Sequence, residues 1–427
     1  MGFGGLAMSK RNSSIYYGWY IVASASVIVL LSMGLRMGIG PFVKPIMEDL
    51  SLTRTEFSII IAVGMILYGL GMPIAGHFLK THTTRFVLLN GLAVVCGSMV
   101  WAIFSTGFIS FLLSFGVFLS LGLAFLSSIT LTPIISKWFV EARGRALFYL
   151  STGGMAGIAV MVPVESMLLE WVGWKMTLII FAVVFICIVL PSAIFVMRED
   201  VPEGADGKNP RNRNIQSEIP DGLTWKEAVK TKGFWQLAFG MFACGYGMNL
   251  MGSHSVPMLM DHGFGPMTAS FGFGLIGIVA IFSTLFLGTL ADRFPRKNIL
   301  FWIYLVRGLG ILGLTFVATP AQLFFVAAAG GLVWAGSVSL TSAILGDLYG
   351  IRLLGFLNGW AYFGHQIGGA IGSFLGGWGY ETFGTHTIAF GSAALLALIA
   401  AVASYLLPRK ITFGKKIPMV DGHSLSK

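Results

Sequence analysis

Apolar runs of roughly 18 residues or more recur along the whole sequence, and each can cross the ~30 Å hydrocarbon layer of a bilayer as one helix. No other feature restricts the fold as much. The chain is 56% hydrophobic and 11% charged, where a soluble domain carries about 25% charged residues. It therefore cannot cover itself with a solvated surface. The expected fold class is an all-α membrane protein with twelve transmembrane helices in two parallel six-helix repeats. The spans read as roughly 17–46, 56–79, 86–106, 108–136, 145–168, 174–197, 234–258, 268–290, 298–318, 321–346, 354–379 and 385–408.

An even number of spans puts both termini on one side. Of the 28 Lys and Arg, 23 fall in the N-terminal tail, the even-to-odd loops and the C-terminal tail. Lys44, Arg54 and Lys175 fall on the other side, and Arg36 and Arg307 lie within spans. Basic residues collect on the cytoplasmic side of membrane proteins, so both termini are expected in the cytoplasm. The net charge of +10 is then a topology signal, and nucleic acid is not expected as a partner. "MGFGGLAMSKRNSS" is too short and polar to be a cleavable signal. Cys96, Cys187 and Cys244 lie in apolar spans without paired spacing, so neither a metal site nor a structural disulfide is expected.

Residues 198–232 break the apolar pattern with seven acids and seven bases. They divide the chain into an N-terminal six-helix bundle (1–197), a cytoplasmic linker (198–232) and a C-terminal bundle with its tail (233–427). The halves share landmarks. Asp49 and Asp261, and Gly76 and Gly288, are each 212 residues apart; Gly157 and Gly368, and Gly173 and Gly384, are each 211 apart. Nearly one offset for four pairs indicates an internal duplication. Parallel six-helix repeats are one transporter layout, with substrate near the midplane between the halves. Gly364, Gly368, Gly372 and Gly376 form a small-xxx-small ridge on the eleventh span, suited to close helix packing and to sliding.

The stretch Gly288–Lys297, "GTLADRFPRK", interrupts two apolar runs. Its bases suit a cytoplasmic turn after a helix C-terminus, whereas Asp292 does not. Asp292 needs a partner such as an Arg or the N-terminus of a neighbouring helix, and such a contact lasts only while the cytoplasmic ends are together. Gly288, Asp292 and Arg293 are therefore expected to gate as a conformational latch. The stretch resembles the loop signature of the major facilitator superfamily, G-x-x-x-D-R-x-G-R-[RK], with Pro295 in place of the second Gly. The copy between the second and third spans, "GHFLKTHTTR", has Lys80 where the acid belongs.

"YYGW", "KWFVEARGRALFYLSTGGMAG", "HSVPMLMDHGF" and "LGFLNGWAYFGHQIGGAIG" look like bacterial members of the monocarboxylate porter family. That resemblance implies transport of small organic anions, often with a proton, across a bacterial inner membrane. Relatives commonly carry a Gly-Arg pair where this chain has Ser283 and Thr284.

Ionisable residues at membrane depth cost about 2.5–3.5 kcal/mol each on insertion scales and so need a reason. Arg36 lies in the outer half of the first span, Arg307 in the ninth, His254 near the outer end of the seventh, and His365 near the middle of the eleventh. Asp347, Glu165 and Asp261 read as span-end acids. A cationic interior suits an anion, which supplies the missing counter-charge. Arg36 is the first choice as anchor, with snorkelling to the interface as the other reading. Arg307 serves either the substrate or a structural pairing. His365 either meets a carboxylate and carries a proton or bonds a backbone group. Tyr246, Asn249 and Tyr149 either orient the ligand or bond between helices. Trp334 and many Phe side chains would give apolar walls.

The function expected from these readings is secondary active transport of small organic anions, monocarboxylate-like and proton-coupled, by alternating access. An organic anion exchanger of the oxalate/formate kind and an exporter of amphipathic compounds are the alternatives. The sequence carries neither an H-E-x-x-H nor a G-x-S-x-G motif, so an enzyme is not expected. The expected partners are the anion, protons and the lipid bilayer, with the protein acting as a monomer and without a cofactor.

Overall fold

The computed structural model describes residues 16–139, 142–200 and 224–408; within them the side chains at 143, 285, 288, 289, 292, 351 and 352 are not among those described. The described residues form helices joined by short turns, and no strand occurs among them. A helix satisfies its backbone hydrogen bonds within itself, as hydrocarbon demands.

The first pass, α1 (Gly18–Met37), ends at Gly38. A 3₁₀ turn (Gly40–Phe42) and the short helix α2 (Val43–Leu50) follow, so the single span read over 17–46 is broken. Next come α3 (Arg54–Thr81), opened by a capping box of Thr53 and Glu56, and α4 (Thr84–Ile103), capped by Thr83. The fourth pass is assembled from α5 (Phe108–Phe111), a π-helical stretch (Leu112–Phe118), α6 (Leu119–Phe125) and α7 (Ser128–Trp138). The long helix α8 (Arg143–Pro191) holds two passes, because Gly173 at φ 75° turns the chain between them.

Within the segment read as the linker, α9 (Trp225–Ala228) occupies the short amphipathic piece before α10 (Lys232–Asp261). Then follow α11 (Pro266–Arg293) and α12 (Arg296–Leu314). The tenth pass is split into α13 (Pro320–Leu332) and α14 (Gly336–Tyr349). Finally come α15 (Ile351–Phe383) and α16 (Thr387–Tyr405). Among the described residues, nine helical stretches are long and apolar enough to cross a membrane, and one of them, Gly144–Val196, is the double pass. With α10 and α15, which are long but rich in Gly, Ser, Asn and Gln, the passes number twelve.

The duplicated landmarks take equivalent conformations. Gly173 and Gly384 both adopt positive φ, 75° and 68°, a region that favours glycine. Gly157 presses on the Leu30 carbonyl of α1, and Gly368 presses on the Phe242 carbonyl of α10. A Cβ at either position would collide with that carbonyl. The ridge continues with Gly372 against the Tyr246 backbone and Gly376 against the His254 ring. The fifth pass thus lies on the first as the eleventh lies on the seventh.

Two apolar cores result. One gathers Ile28, Phe57, Phe111, Phe181 and Phe185 from the first six passes; the other gathers Tyr246, Phe273, Tyr304, Trp334 and Phe390 from the last six. Met37, Ile158 and Val162 cross into the second core, and Ala370 crosses into the first. Large apolar side chains such as Phe104, Trp171, Phe316 and Phe325 remain exposed on the outside, as a surface facing lipid requires.

The end opposite the linker, called here the far end, is closed by polar contacts between the halves. Asp261 takes Lys44 Nζ and Arg54 Nη2 of the other half, both at 2.8 Å, and His386 Nε2 of its own half at 3.0 Å. Arg54 lies 3.8 Å from the centre of the Tyr380 ring, and the Thr55 N–H donates to Glu381 at 2.8 Å.

Overpacking a tight helix contact costs about 1–3 kcal/mol, so Gly157→Val and Gly368→Val are expected to lower the unfolding temperature in detergent. A Cβ at exposed Gly97 meets nothing within 4 Å, and removing that glycine from a helix gains about 0.5–1 kcal/mol. Gly97→Ala is therefore expected to leave that temperature unchanged or raise it.

Candidate functional site

Arg36 occupies the last turn of α1, where the helix dipole favours a cation. Its residue is 9% exposed, so it points inward and does not snorkel. Nη2 lies 3.1 Å from Gln366 Oε1 on α15 and 3.2 Å from Asn249 Oδ1 on α10. It also lies 3.1 Å from Met65 Sδ on α3, and the guanidinium sits 4.0 Å from the centre of the Tyr68 ring. The charge is thus held by one helix of its own half, α3, and by two helices of the other. No acid stands within ion-pair distance of it among the described residues.

Local packing aims these partners. The Asn249 Nδ2 donates to the Gly245 carbonyl at 2.8 Å, which turns Oδ1 toward the arginine. Gly369 and Gly69 leave the room that Asn249 and Gln366 fill. The Gln366 Nε2 is buried without a partner. All three contacts use Nη2, which leaves Nη1 and Nε free of protein partners among the described residues. Beside the guanidinium lies a small cavity whose walls include Leu35, Ile61, Tyr68, Phe115 and Leu119. An unneutralised cation next to apolar walls and neutral amides can hold a small anion with an apolar body.

The other residues singled out in the sequence are dispersed. Arg307 is 4% exposed and donates to the Val333 and Trp334 carbonyls, both at 2.7 Å, and to Cys244 Sγ at 2.7 Å. It satisfies the break between α13 and α14. The His365 ring stacks on Tyr362 at 5.3 Å, and both its nitrogens are buried without partners. The Tyr246 hydroxyl meets Ser392 on α16 at 2.7 Å, away from Arg36. Tyr149 is 51% exposed, with its ring edge-on to Trp19. Of the six candidates, Arg36 bonds Asn249, and Arg307 and His365 both stand beside Cys244.

At the turn after the eighth pass, Arg293 is exposed, whereas the side chains at Gly288 and Asp292 lie outside those described. The adjoining Arg296 pairs with Asp347 of the tenth pass at 2.7 Å. Lys297 donates to the Tyr405 and Leu407 carbonyls at 3.1 and 2.9 Å. These bonds tie the turn to its own half.

Sequence reasoning missed Gln366, Met65 and Tyr68. Gln366 carried a signal, being an amide in an apolar span beside His365; Met65 and Tyr68 carried none. It also placed Glu165 at a span end. It did not foresee that this acid is fully buried, because Gly38 opens a space for its carboxyl under the end of α1.

The family model described as Major Facilitator Superfamily matches residues 25–341 and, in a second match, 280–422. An uncharacterized MFS-type transporter of Bacillus subtilis, YcxA, is 25% identical over 375 residues, covering 84% of this chain and 87% of its own length. Monocarboxylate transporter 12 of Mus musculus is 23% identical over 419 residues, covering 92% and 84%. Among solved structures, a bacterial homolog of the human lysosomal transporter Spinster, inward-facing and occupied, superposes with a TM-score of 0.69. It is 16% identical over 92% of this chain and 97% of that one. These relatives are transporters and not enzymes. With twelve helical passes in two matching halves and a family match over most of its length, the chain belongs to the major facilitator superfamily.

Proposed function

We propose that this transporter carries small organic anions of the monocarboxylate class by alternating access, with Arg36 as the anion anchor and a proton as the coupling ion. One observation carries the reading: a buried guanidinium at the junction of the halves has amide and sulfur neighbours but no acid. A carboxylate binding there would supply the missing negative charge in a low-dielectric setting. Asn249 and Gln366 would orient it, and the apolar cavity walls would receive its carbon chain. The likeness to a monocarboxylate transporter over 92% of the chain supports the substrate class.

Substrate would enter from the linker end, read as cytoplasmic from the distribution of bases, while the Asp261 cluster seals the far end. Opening the far end requires Lys44 and Arg54 to leave Asp261 and α3 to part from α15. The membrane would be a bacterial inner membrane, with both termini in the cytoplasm. Gly288, Asp292 and Arg293 would gate the linker end in the alternate state. His365, adjacent to Gln366 with both ring nitrogens unpartnered, would be a proton carrier within the C-terminal half.

The anchor is tested by thermal shift of the purified protein against a panel of carboxylates. Hydrogen bonds to charged groups contribute about 1.5–3 kcal/mol, so Arg36→Gln is expected to weaken a stabilising carboxylate by about tenfold to a hundredfold. The same variant is expected to lose counterflow of that labelled carboxylate in proteoliposomes. Unchanged affinity in Arg36→Gln would refute the assignment.

The seal is tested with Asp261→Asn. The three side chains are only 14–30% exposed, so the loss should lie between the ~1 kcal/mol of a surface pair and the ~3 kcal/mol of a buried one. Labelling of a Ser58→Cys reporter by an impermeant maleimide is expected to accelerate in the Asp261→Asn background. An equal rate in both backgrounds would rule out a sealing role.

A further inference from the structure

Glu165 is the one acid among the described residues whose carboxylate oxygens are both buried without a hydrogen-bond partner. It lies on the fifth pass, is 0% exposed, and packs its carboxyl against Gly38, where a Cβ would collide with it. Its sequence neighbour Ser166 meets Ser270 of α11 across the interface between the halves. Close by, Gly274 of α11 packs on Ala159 and Pro163, and Gly40 packs on the Gly252 carbonyl of α10. The carboxyl lies under α1 of its own half, and its neighbours on the fifth pass, Ala159, Pro163 and Ser166, carry the contacts to α11 that parting of the halves at the far end would break.

The charged and titratable groups on the elements packed around it are all engaged elsewhere or exposed. On α1, Arg36 turns to Gln366, Asn249 and Tyr68. On α2, Lys44 pairs with Asp261, Asp49 pairs with Lys175 at 2.8 Å, and Glu48 is exposed. On α10, His254 bonds Ser58 and the Ser373 carbonyl, and Asp261 takes Lys44, Arg54 and His386. On α8, Glu170 is exposed, and α11 carries charge only at Asp292 and Arg293, at its opposite end. A carboxylate in such a place has neither a donor nor a counter-ion and is strongly disfavoured, whereas the neutral acid is tolerated.

We propose that Glu165 is a proton-binding site whose protonation is coupled to closure of the far end. As the far end closes, the carboxylate takes one proton and becomes the neutral acid; as it opens and water enters, the proton leaves to solvent. The idea rests on the alternating-access reading and makes closure of the far end proton-dependent, beside the His365 carrier proposed above. It makes no use of Arg36 or of the identity of the anion.

The test is made without substrate on the full chain in lipid nanodiscs. Spin labels at Ser51→Cys and Thr385→Cys, in a background where Cys96, Cys187 and Cys244 are serine, report the far-end distance between pH 5 and 9. The closed population is expected to fall as pH rises, by up to about tenfold per pH unit for one coupled proton. With Glu165→Gln the short distance is expected at every pH, because the amide mimics the neutral acid. A pH response retained in Glu165→Gln would assign the effect to the Asp261–His386 cluster and overturn the proposal, as would a parent protein indifferent to pH. Infrared difference spectra of the parent protein give a check independent of that variant's folding. A protonated-carboxyl band must fade as the open population grows, and its absence at low pH also overturns the proposal. No substrate is present in this measurement, so its outcome is read separately from anion binding at Arg36.

Discussion

In hydrocarbon, the backbone N–H and C=O groups must find their partners inside the protein, and this requirement orders the rest of the structure. Where a helix runs unbroken the backbone satisfies itself. Where it breaks, a side chain from a neighbouring pass takes the freed carbonyls. The tenth pass breaks between Leu332 and Gly336, and Arg307 of the ninth receives the Val333 and Trp334 carbonyls. The fourth pass breaks between Phe125 and Ser128, and Ser32 of the first donates to the Leu126 carbonyl at 3.2 Å. The two breaks occupy the equivalent pass of each half, yet one is met by a hydroxyl and the other by a charge. The duplication kept the backbone irregularity and let each half satisfy it separately.

Much of this architecture was legible in the residues, for a physical reason. Span length, charge asymmetry and repeated glycines are one-dimensional consequences of bilayer thickness, of the positive-inside bias and of close helix contact. Gly173 and Gly384 could be paired from their offset alone, and both adopt positive φ. The breaks were not read from the sequence, although Gly330, Gly331 and Gly336 flank the one in the tenth pass. What holds the tenth pass open is Arg307, which belongs to another helix.

The candidate site was legible in depth but not in direction. Sequence places a residue along a helix axis, but the rotation of that helix against its neighbours emerges only from packing. Tyr246 and Asn249 are three residues apart on α10 and were read together, yet one meets Ser392 of α16 and the other meets Arg36. His365 and Gln366 are adjacent, and a turn of about 100° per residue sends the ring to Tyr362 and the amide to Arg36. Glu165 is the same lesson in another form, since its burial depends on a glycine more than a hundred residues away in the chain.

Charge is distributed unevenly along the membrane normal, and the unevenness itself argues for function. At the far end Asp261 gathers Lys44, Arg54 and His386, and Asp49 takes Lys175, so these two acids are engaged. Deeper in, the pattern reverses: Arg36 has amides, a thioether and a ring for company, and Glu165 has nothing. A fold selected for stability alone would bring these two together as an ion pair or replace both by apolar side chains, which is often neutral or stabilising. Keeping a lone base and a lone acid apart, one beside a cavity and the other beneath a closing contact, leaves each able to accept an opposite charge from outside the protein. On the proposed reading, those charges are the anion and the proton, and the tight glycine contacts between passes are what let the halves move between the states that exchange them.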